Sequence, residues 1–394
     1  MVYCPANMKP SSDTLHILVQ VDLRQKAARD LLGGVLHAAA QRPRWDVRLL
    51  HGHPLNRLAD LVRWRPDGLI TDRPLTPPQA RRLADAGLRA LIAAYDDTSG
   101  DPDEPRLAVR HVCCDNAAIG RAAAELLLGK RLRHFAYVPA TVCNPFLRRR
   151  CAAFRETLAA QGLDVDIYDP PARGTADLAR WLTNLPKPCG VFAEFDQRAK
   201  DVIDTCRTAG LKIPEQLLLV GVDNEEYICE NTIPTLTSVW PDFNDGGHLA
   251  VETLERLLRG ARVAREPIRY GVRDVVARVS TADVTGTART VALATEFIRR
   301  HAAEPIRIAD IARAAGTSER LLELHFRDVL GTTAAKTLQR ARLDHVKELL
   351  RTSDLPLARL GERCGFNSEA HLKTLFKRAT GQTMSAYRRR ASKP

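Results

Sequence analysis

Five carboxylates and one guanidinium stand where a chain of 394 residues could put them to chemical use. Asp22, Asp72 and Asp223 directly follow short apolar runs, Glu194 and Asp196 sit at the end of another, and Arg150 heads an amphipathic stretch. Carboxylates and guanidinium groups take paired hydroxyls, and an aromatic face such as Phe243 covers C–H groups, so this set suits a polyol. Asp223, beside Asn224 and Glu225, is costly after a buried strand unless it is paired or bound. Asp115 and Asp196 are expected to cap the helices that follow them. Glu194 and Asp223 also leave a second chemistry open, that of a general acid and base.

Other chemistries lack their residues. There is no phosphate-cradling G-x-x-x-x-G-K-[ST], no G-x-G-x-x-G after the first strand, no H-E-x-x-H and no G-x-S-x-G. Gly33-Gly34 interrupts a helical stretch and reads as close packing. His51-Gly-His53 has no further ligands nearby and reads as a loop, so no metal is expected. The nine cysteines are scattered without a C-x-x-C pair, as buried thiols of a reducing compartment are. No catalytic residue and no cofactor are expected.

These residues need elements to hold them. Strand candidates are Leu15–Val21, Val47–Leu50, Gly68–Thr71, Ala90–Ala94, His134–Val138, Val165–Tyr168, Gly190–Phe195 and Leu217–Val222. Helical stretches fall between them, which predicts mainly parallel sheets with helices on both faces. The first four strands and the next four each make a set of lobe size. The rhythm stops in Ser280–Arg289, read as a linker, and beyond it apolar residues recur only at helical spacing. The expected organisation is a two-lobed α/β domain over 13–279, a linker over 280–290 and an all-α domain over 291–390. The apolar runs are too short to span a membrane, and Met1–Ser12 has no apolar signal region.

The charge is lopsided. Of the formal +12, residues 288–394 carry +10, the footprint of a phosphate-binding module. That region repeats one design. A short apolar helix ends at Gly316, Ser318 supplies an N-cap, and Leu322, Phe326 and Gly331 follow. Gly365, Ser368, Leu372, Phe376 and Gly381 repeat the pattern. With Arg342-Leu343, Leu349-Leu350, Gly365-Phe366, Phe376-Lys377 and Ser385-x-Tyr387-Arg388, this region resembles the AraC/XylS-type DNA-binding domain. The resemblance implies two helix-turn-helix motifs entering successive major grooves. It places Ser318, Glu319, Arg320, Glu323 and His325 of the first unit, and Ser368, Glu369, Ala370, Lys373, Thr374 and Lys377 of the second, against double-stranded DNA. Leu324 and Thr374 stand where basic residues are common in that family, which implies fewer or apolar base contacts.

Pro66-Asp67-Gly68-Leu69-Ile70, Asp115-Asn116, Arg150-x-x-Ala153-Phe154 and Gly221-Val222-Asp223-Asn224, then Pro234-x-Leu236-Thr237-Ser238-Val239, resemble the LacI/GalR-type ligand-binding fold. That fold is akin to periplasmic sugar-binding proteins. The likeness implies a sugar effector, with Arg150 and Asp223 on its hydroxyls, Phe243 stacked on it, Glu194 nearby, and Asp22 and Asp72 serving from the other lobe. A sensor ahead of an AraC-like reader resembles the xylose-operon activators. That order implies a cytoplasmic homodimer that meets an operator and RNA polymerase and activates pentose-catabolic genes. Two rivals stay open: a sugar-converting enzyme with a DNA-binding tail, and a methyl-accepting DNA-repair regulator.

Overall fold

Runs such as Leu217–Val222 are apolar at every position and buried at every position, as strands covered on both faces must be. The computed structural model describes residues 14–50, 62–95, 101, 104–140, 148–169, 176–282, 286–353, 355–366 and 368–391. His51, His53, Cys4 and Cys143 lie outside them. The chain divides into two units, Met1–Ala277 and Arg278–Pro394.

The first unit holds two six-stranded sheets. Its strands are β1 (Leu15–Gln20), β2 (Trp45–Leu50), β3 (Gly68–Thr71), β4 (Ala90–Ala93), β5 (Ala108–Cys114), β6 (His134–Val138), β7 (Val165–Ile167), β8 (Cys189–Ala193), β9 (Leu217–Val222), β10 (Thr237–Pro241), β11 (Ile268–Tyr270) and β12 (Val272–Val276). Its helices are α1 (Lys26–Ala40), α2 (Pro77–Asp85), α3 (Asn116–Leu128), α4 (Arg148–Ala159), α5 (Ala176–Asn184), α6 (Asp196–Thr208), α7 (Glu226–Cys229) and α8 (Phe243–Leu258). One lobe orders its strands β11-β5-β4-β3-β1-β2, all parallel. The other runs β12-β10-β9-β8-β6-β7, parallel except for β12 against β10.

The eight strands read from the sequence fall four to each lobe as grouped there, and each lobe gains two more: β5 and β11 in the first, β10 and β12 in the second. The chain passes between them three times, at Asp115, Asp242 and Gly271. The crossings are tied together: Asp115 N–H donates to Tyr270 C=O at 2.8 Å, and Asp242 N–H to Gly271 C=O at 2.9 Å. Asp115 and Asp242 also cap α3 and α8 by accepting from Ala118 and Asp245 N–H. Helices α1 and α8 share one face of the first sheet, burying Leu31, Val35, Ala250 and Leu254 on Ile17 and Val19. A Cβ on Gly34 would stand 2.0 Å from Asn244 C=O, so a side chain there is excluded.

The second unit is helical: α9 (Thr287–His301), α10 (Ile308–Ala314), α11 (Glu319–Leu330), α12 (Ala334–Thr352), α13 (Leu357–Arg363), α14 (Glu369–Thr380) and α15 (Met384–Ala391). Helix α9 starts at Thr287, inside the segment read as linker. Two small cores form. Val291, Ala294, Ile298, Ile311, Leu322 and Phe326 build one, and Leu360, Cys364, Leu372, Phe376 and Met384 the other. Helix α12 serves both, giving Ala334 and Leu338 to the first and Leu343, Val346 and Leu350 to the second.

The two cores are joined by a polar clasp. Arg342 donates to the backbone carbonyls of Ala302 and Glu304, both at 2.9 Å, and of Ile306 at 3.3 Å. The turn before α14 packs on the same loop. Gly365 has φ +71, and a Cβ there would lie 2.7 Å from the carbonyls of both Ala302 and Glu304.

Candidate functional site

Ligands of open parallel sheets bind at the carboxyl ends of the strands, and the charged residues gather there in two groups. The first belongs to the lobe built on β6–β10. Arg150, 3% exposed on the first turn of α4, donates through Nε and one terminal nitrogen to Asn116 Oδ1 at 3.2 and 3.0 Å, and through the other to Glu194 C=O. The Glu194 carboxylate is itself committed: Tyr137 O–H donates to Oε1 at 3.0 Å and Ala140 N–H to Oε2 at 2.6 Å. Glu194 thus fixes Arg150 through its backbone and leaves its acid group with protein partners.

Asp223 ends β9 with φ +98, and Asn224 follows at φ +50, two successive non-glycine residues in the left-handed region. Such backbone costs about 1–2 kcal/mol per residue and persists where function or surrounding bonds demand it. Here Asp223 N–H is held by Val239 C=O at 2.9 Å and Asn224 N–H by Ser238 Oγ at 2.9 Å. Burial pushes the Asp223 carboxyl above the usual carboxylate range; the Arg150 charge opposes that rise and Glu225 adds to it. Asp223 is a half-buried acceptor and Arg150 a buried fork-shaped donor, chemistry suited to a ligand's adjacent hydroxyls.

Asp196 does not cap α6, contrary to the sequence reading. Its carboxylate turns inward, accepting from Ser238 O–H at 2.7 Å, Glu225 N–H at 2.8 Å and Cys229 S–H at 3.2 Å. It is a hub under the Asp223–Glu225 loop rather than a ligand contact. Burial, then the nearby Asp223 charge, pushes its pKa up to about 8. The folded state therefore holds this proton more tightly than the unfolded chain. Its stabilising effect is complete below the ordinary value of 3.8 and fades as pH climbs toward about 8. Asp196→Asn mimics the protonated form, donating to Ser238 Oγ and accepting from Glu225 N–H. Its melting temperature is expected to fall less than wild type's between pH 5 and 8.5. Equal slopes would mean that Asp196 is ionised throughout.

The second group sits on the β1 and β3 ends. Asp22 N–H donates to Asp72 Oδ2 at 2.6 Å. The Asp22 carboxylate takes Arg24 at 2.7 Å and Arg73 at 2.8 Å, and the bond from Arg24 holds it well below the usual range. Among the described residues, Gln20 Oε1 and Asp72 Oδ1 are buried acceptors without a hydrogen bond; Arg73 Nε is 3.8 Å from the latter. Each such acceptor costs about 1–3 kcal/mol until a donor arrives, and a hydroxyl is one. Burial raises the Asp72 pKa.

The lobes are bridged across the cleft rim. Arg29 donates to both Glu225 oxygens at 2.9 and 2.8 Å, Lys26 N–H donates to Glu225 at 3.0 Å, and Lys26 Nζ pairs with Glu226 at 3.1 Å. Lys26 Nζ also lies 5.1 Å from the centre of the Trp240 ring. These bonds exist only while the lobes are together. Glu225→Gln should therefore weaken ligand affinity about fivefold, more at low salt. Unchanged affinity at low salt would show that the bridge is indifferent to closure.

Phe243, expected to stack on the ligand, opens α8 beside the crossing at Asp242. It is 6% exposed, packed in the first lobe's core with its ring 6.0 Å from Tyr270 in an edge-to-face arrangement. Residues that sequence reasoning passed over as ordinary core, Tyr137 and Tyr270, lie around the pair, with Asn116 and Ser238 quoted only as parts of motifs. A cavity of about 640 Å³ lies at the amino ends of the first sheet's strands, lined by Arg42, Trp45, Arg89, Glu255 and Arg259. Glu255 bridges Arg42 and Arg259 there at 2.7 and 2.6 Å, and Asp67 holds Arg89 at 2.8 Å, so the carboxylates of this cavity are already paired.

In the second unit each reader helix has its N-cap. Ser318 Oγ accepts from Leu321 N–H at 3.3 Å and Ser368 Oγ from His371 N–H at 3.4 Å. Leu322/Phe326 and Leu372/Phe376 are buried. Glu319 and Arg320 are exposed on α11, as are Ala370, Lys373, Thr374 and Lys377 on α14. Glu369, half-buried, pairs with Lys373 at 2.7 Å. Glu323 and His325 lie half-buried on the flanks. His325 lines a cavity of about 360 Å³ with Arg289, Thr290 and Leu293 of α9. No helix of the described residues is long and apolar enough to cross a membrane. Among them no group of three or more His, Cys, Asp or Glu is placed to hold a metal ion.

Two family models match: a periplasmic binding protein-like domain over residues 124–281 and a helix-turn-helix domain over residues 311–390. The chain is 26% identical over 359 residues to the xylose operon regulatory protein of Escherichia coli K12, covering 89% of this chain and 90% of that one. The xylose operon regulatory protein of Haemophilus influenzae is also 26% identical, over 361 residues covering 87% and 90%. Among solved structures, a xylose-binding transcription activator matches with a TM-score of 0.59 at 25% identity, covering 97% of this chain and 100% of that one.

Proposed function

We propose that this chain, a regulator built from a periplasmic binding protein-like sensor and an AraC-type reader, is a cytoplasmic homodimeric activator of pentose-catabolic genes, with xylose or a close relative as effector. The observation that carries the reading is the Arg150–Asp223 pair, set on strained backbone in a hinged cleft, in the same chain as two capped reader helices. The effector's hydroxyls bridge Arg150 and Asp223 on one lobe and Asp22 and Asp72 on the other, so the closed form binds it better. Closure then shifts the population competent to hold an operator and recruit RNA polymerase. Within the reader, Arg320, Ala370, Lys373, Thr374 and Lys377 meet DNA, Glu319 and Glu369 screen its edges, and Ser318 and Ser368 set the helix starts. Glu323 and His325, on the flanks, are left with supporting roles, and Phe243 shapes the cleft floor.

Binding requires no catalytic group, and the commitment of Glu194 to Tyr137 and Ala140 speaks against the enzyme reading. The methyl-accepting reading needs an activated thiol. Burial instead pushes Cys151 and Cys364 up to about 11, and Cys189 and Cys206 up to about 12. Thermal shift against free pentoses, hexoses and purines tests the assignment. A true effector at about 100 times its dissociation constant adds roughly 2.7 kcal/mol and is recovered unchanged. A response to purines alone, or a converted sugar, overturns it.

A further inference from the structure

Among the described residues eight large hydrophobic side chains are exposed, and four of them, Leu321, Leu324, Val329 and Leu330, lie on α11. Helix α11 buries Leu322 and Phe326. At about 100° per residue Leu324 stands about 200° from each of them, on the side opposite the core. Leu321, three residues before it, is its neighbour on that surface. The two are 48% and 46% exposed. Arg320 and Arg327 flank them, also exposed. The outer face of α11 is an apolar patch with two guanidinium groups and, one turn beyond Leu324, the exposed carboxylate of Asp328 around it.

Helix α14 is built on the same plan with other contents. Ala370, His371, Thr374 and Lys377 occupy the places of Arg320, Leu321, Leu324 and Arg327, fifty residues on. All four are exposed, with Lys373 beside them. One reader face is apolar with charged margins; the other is polar and charged apart from Ala370.

We infer that α11 reads thymine: Leu321 and Leu324 pack on the 5-methyl groups of A·T pairs in the major groove, while Arg320 and Arg327 reach the backbone or a neighbouring guanine. This rests on the reading of the second unit as a DNA binder. In the major groove the only apolar feature of a base edge is the thymine methyl, which exposed leucines match. The +10 of residues 288–394 and the two flanking arginines suit a polyanion rather than an apolar protein partner. The two half-elements of the operator are then unlike, the first rich in thymine and the second read by hydrogen bonds.

The test uses the full chain and an operator selected by it from randomised duplexes. Thymine is replaced by uracil at one position at a time, removing a methyl group and leaving the protein untouched. One or two positions of a single half-element should each lose about fourfold in affinity, the worth of a buried methyl. With Leu324→Ala or Leu321→Ala that penalty should vanish, while any cost of replacements in the other half-element, where Ala370 and Thr374 offer only small methyl groups, stays the same in all proteins. A penalty that persists in both variants, or uracil tolerated everywhere, overturns the inference while leaving DNA reading intact. So does a change in oligomeric state with Leu324→Ala, which makes the patch a surface between chains. Selection that enriches no sequence removes the DNA-binding reading itself.

Discussion

Arg150→Ala is expected to abolish the effector's thermal shift and to cost the sensor about 3–5 kcal/mol, the scale for stripping a buried charge of its partner. Asn116 Oδ1 and Glu194 C=O lose the Arg150 N–H groups, and Asp223 loses the nearby charge that favours its ionised form. Melting followed by fluorescence, with and without sugar, measures both effects. Because a large loss of stability could by itself prevent binding, Arg150→Lys separates the two. It keeps the charge but not the fork, so the fold should survive with affinity reduced at least about tenfold. Wild-type affinity in Arg150→Lys would assign Arg150 to the scaffold and leave Asp223 alone on the sugar. Operator binding without ligand should persist in both variants, since the reader's cores contain no residue of the sensor.

Gly365→Ala is expected to remove operator binding, by 100-fold or more, while leaving the sugar response untouched. The new methyl group meets the carbonyls of Ala302 and Glu304 at 2.7 Å and Arg342 Nε at 2.9 Å, at a φ of +71. Relief requires the second turn to move off the loop that Arg342 pins, and the two helix-turn-helix units then lose their common frame. The strain of a left-handed alanine, about 1–2 kcal/mol, adds to the clash. Gly316 is a control, with a similar φ of +66 and nothing within 4 Å of its Cβ position. Gly316→Ala should lose far less. If the two variants bind operator equally, the contact between the halves is incidental.

How much of this was written in the sequence follows from how local each signal is. Strands β1, β3, β6, β8 and β9 were legible because burial on both faces makes them continuous apolar runs. Strands β5, β10, β11 and β12 were not, being short or broken by polar residues, as in Ile268-Arg-Tyr270 and Thr237-Ser-Val239. All four flank the crossings, so missing them left the grouping of the other eight strands intact but hid where the chain passes between the lobes. The helix-turn-helix repeat was legible because cap, glycine and apolar pair fall within one or two turns. At the cleft, Asp22, Asp72 and Asp223 announce themselves by following apolar strands. The partners of Arg150 do not: an asparagine, a backbone carbonyl and the tyrosines around them look like any turn or core. Asp196 opens a helix in sequence and so resembles a cap, and only the folded loop after β9 brings Ser238, Glu225 and Cys229 to it.

Helix α12 carries a further consequence. Its 19 residues make a rod of about 28 Å that is rooted in one core at Ala334 and in the other at Leu350. The interval between the two half-elements is then a property of the protein's backbone, not of DNA sequence, much as the opening of a locked caliper is a property of its frame. Promoters served by this chain are free to drift letter by letter at either half-element, at graded cost. They are not free to gain or lose a few base pairs between them, because each added pair turns the groove away from a helix that cannot follow. Adding three residues within α12 would have the reciprocal effect, lengthening the rod by about 4.5 Å and turning its far end through about 300°. Spelling is negotiable for such a regulator, whereas phase is inherited whole.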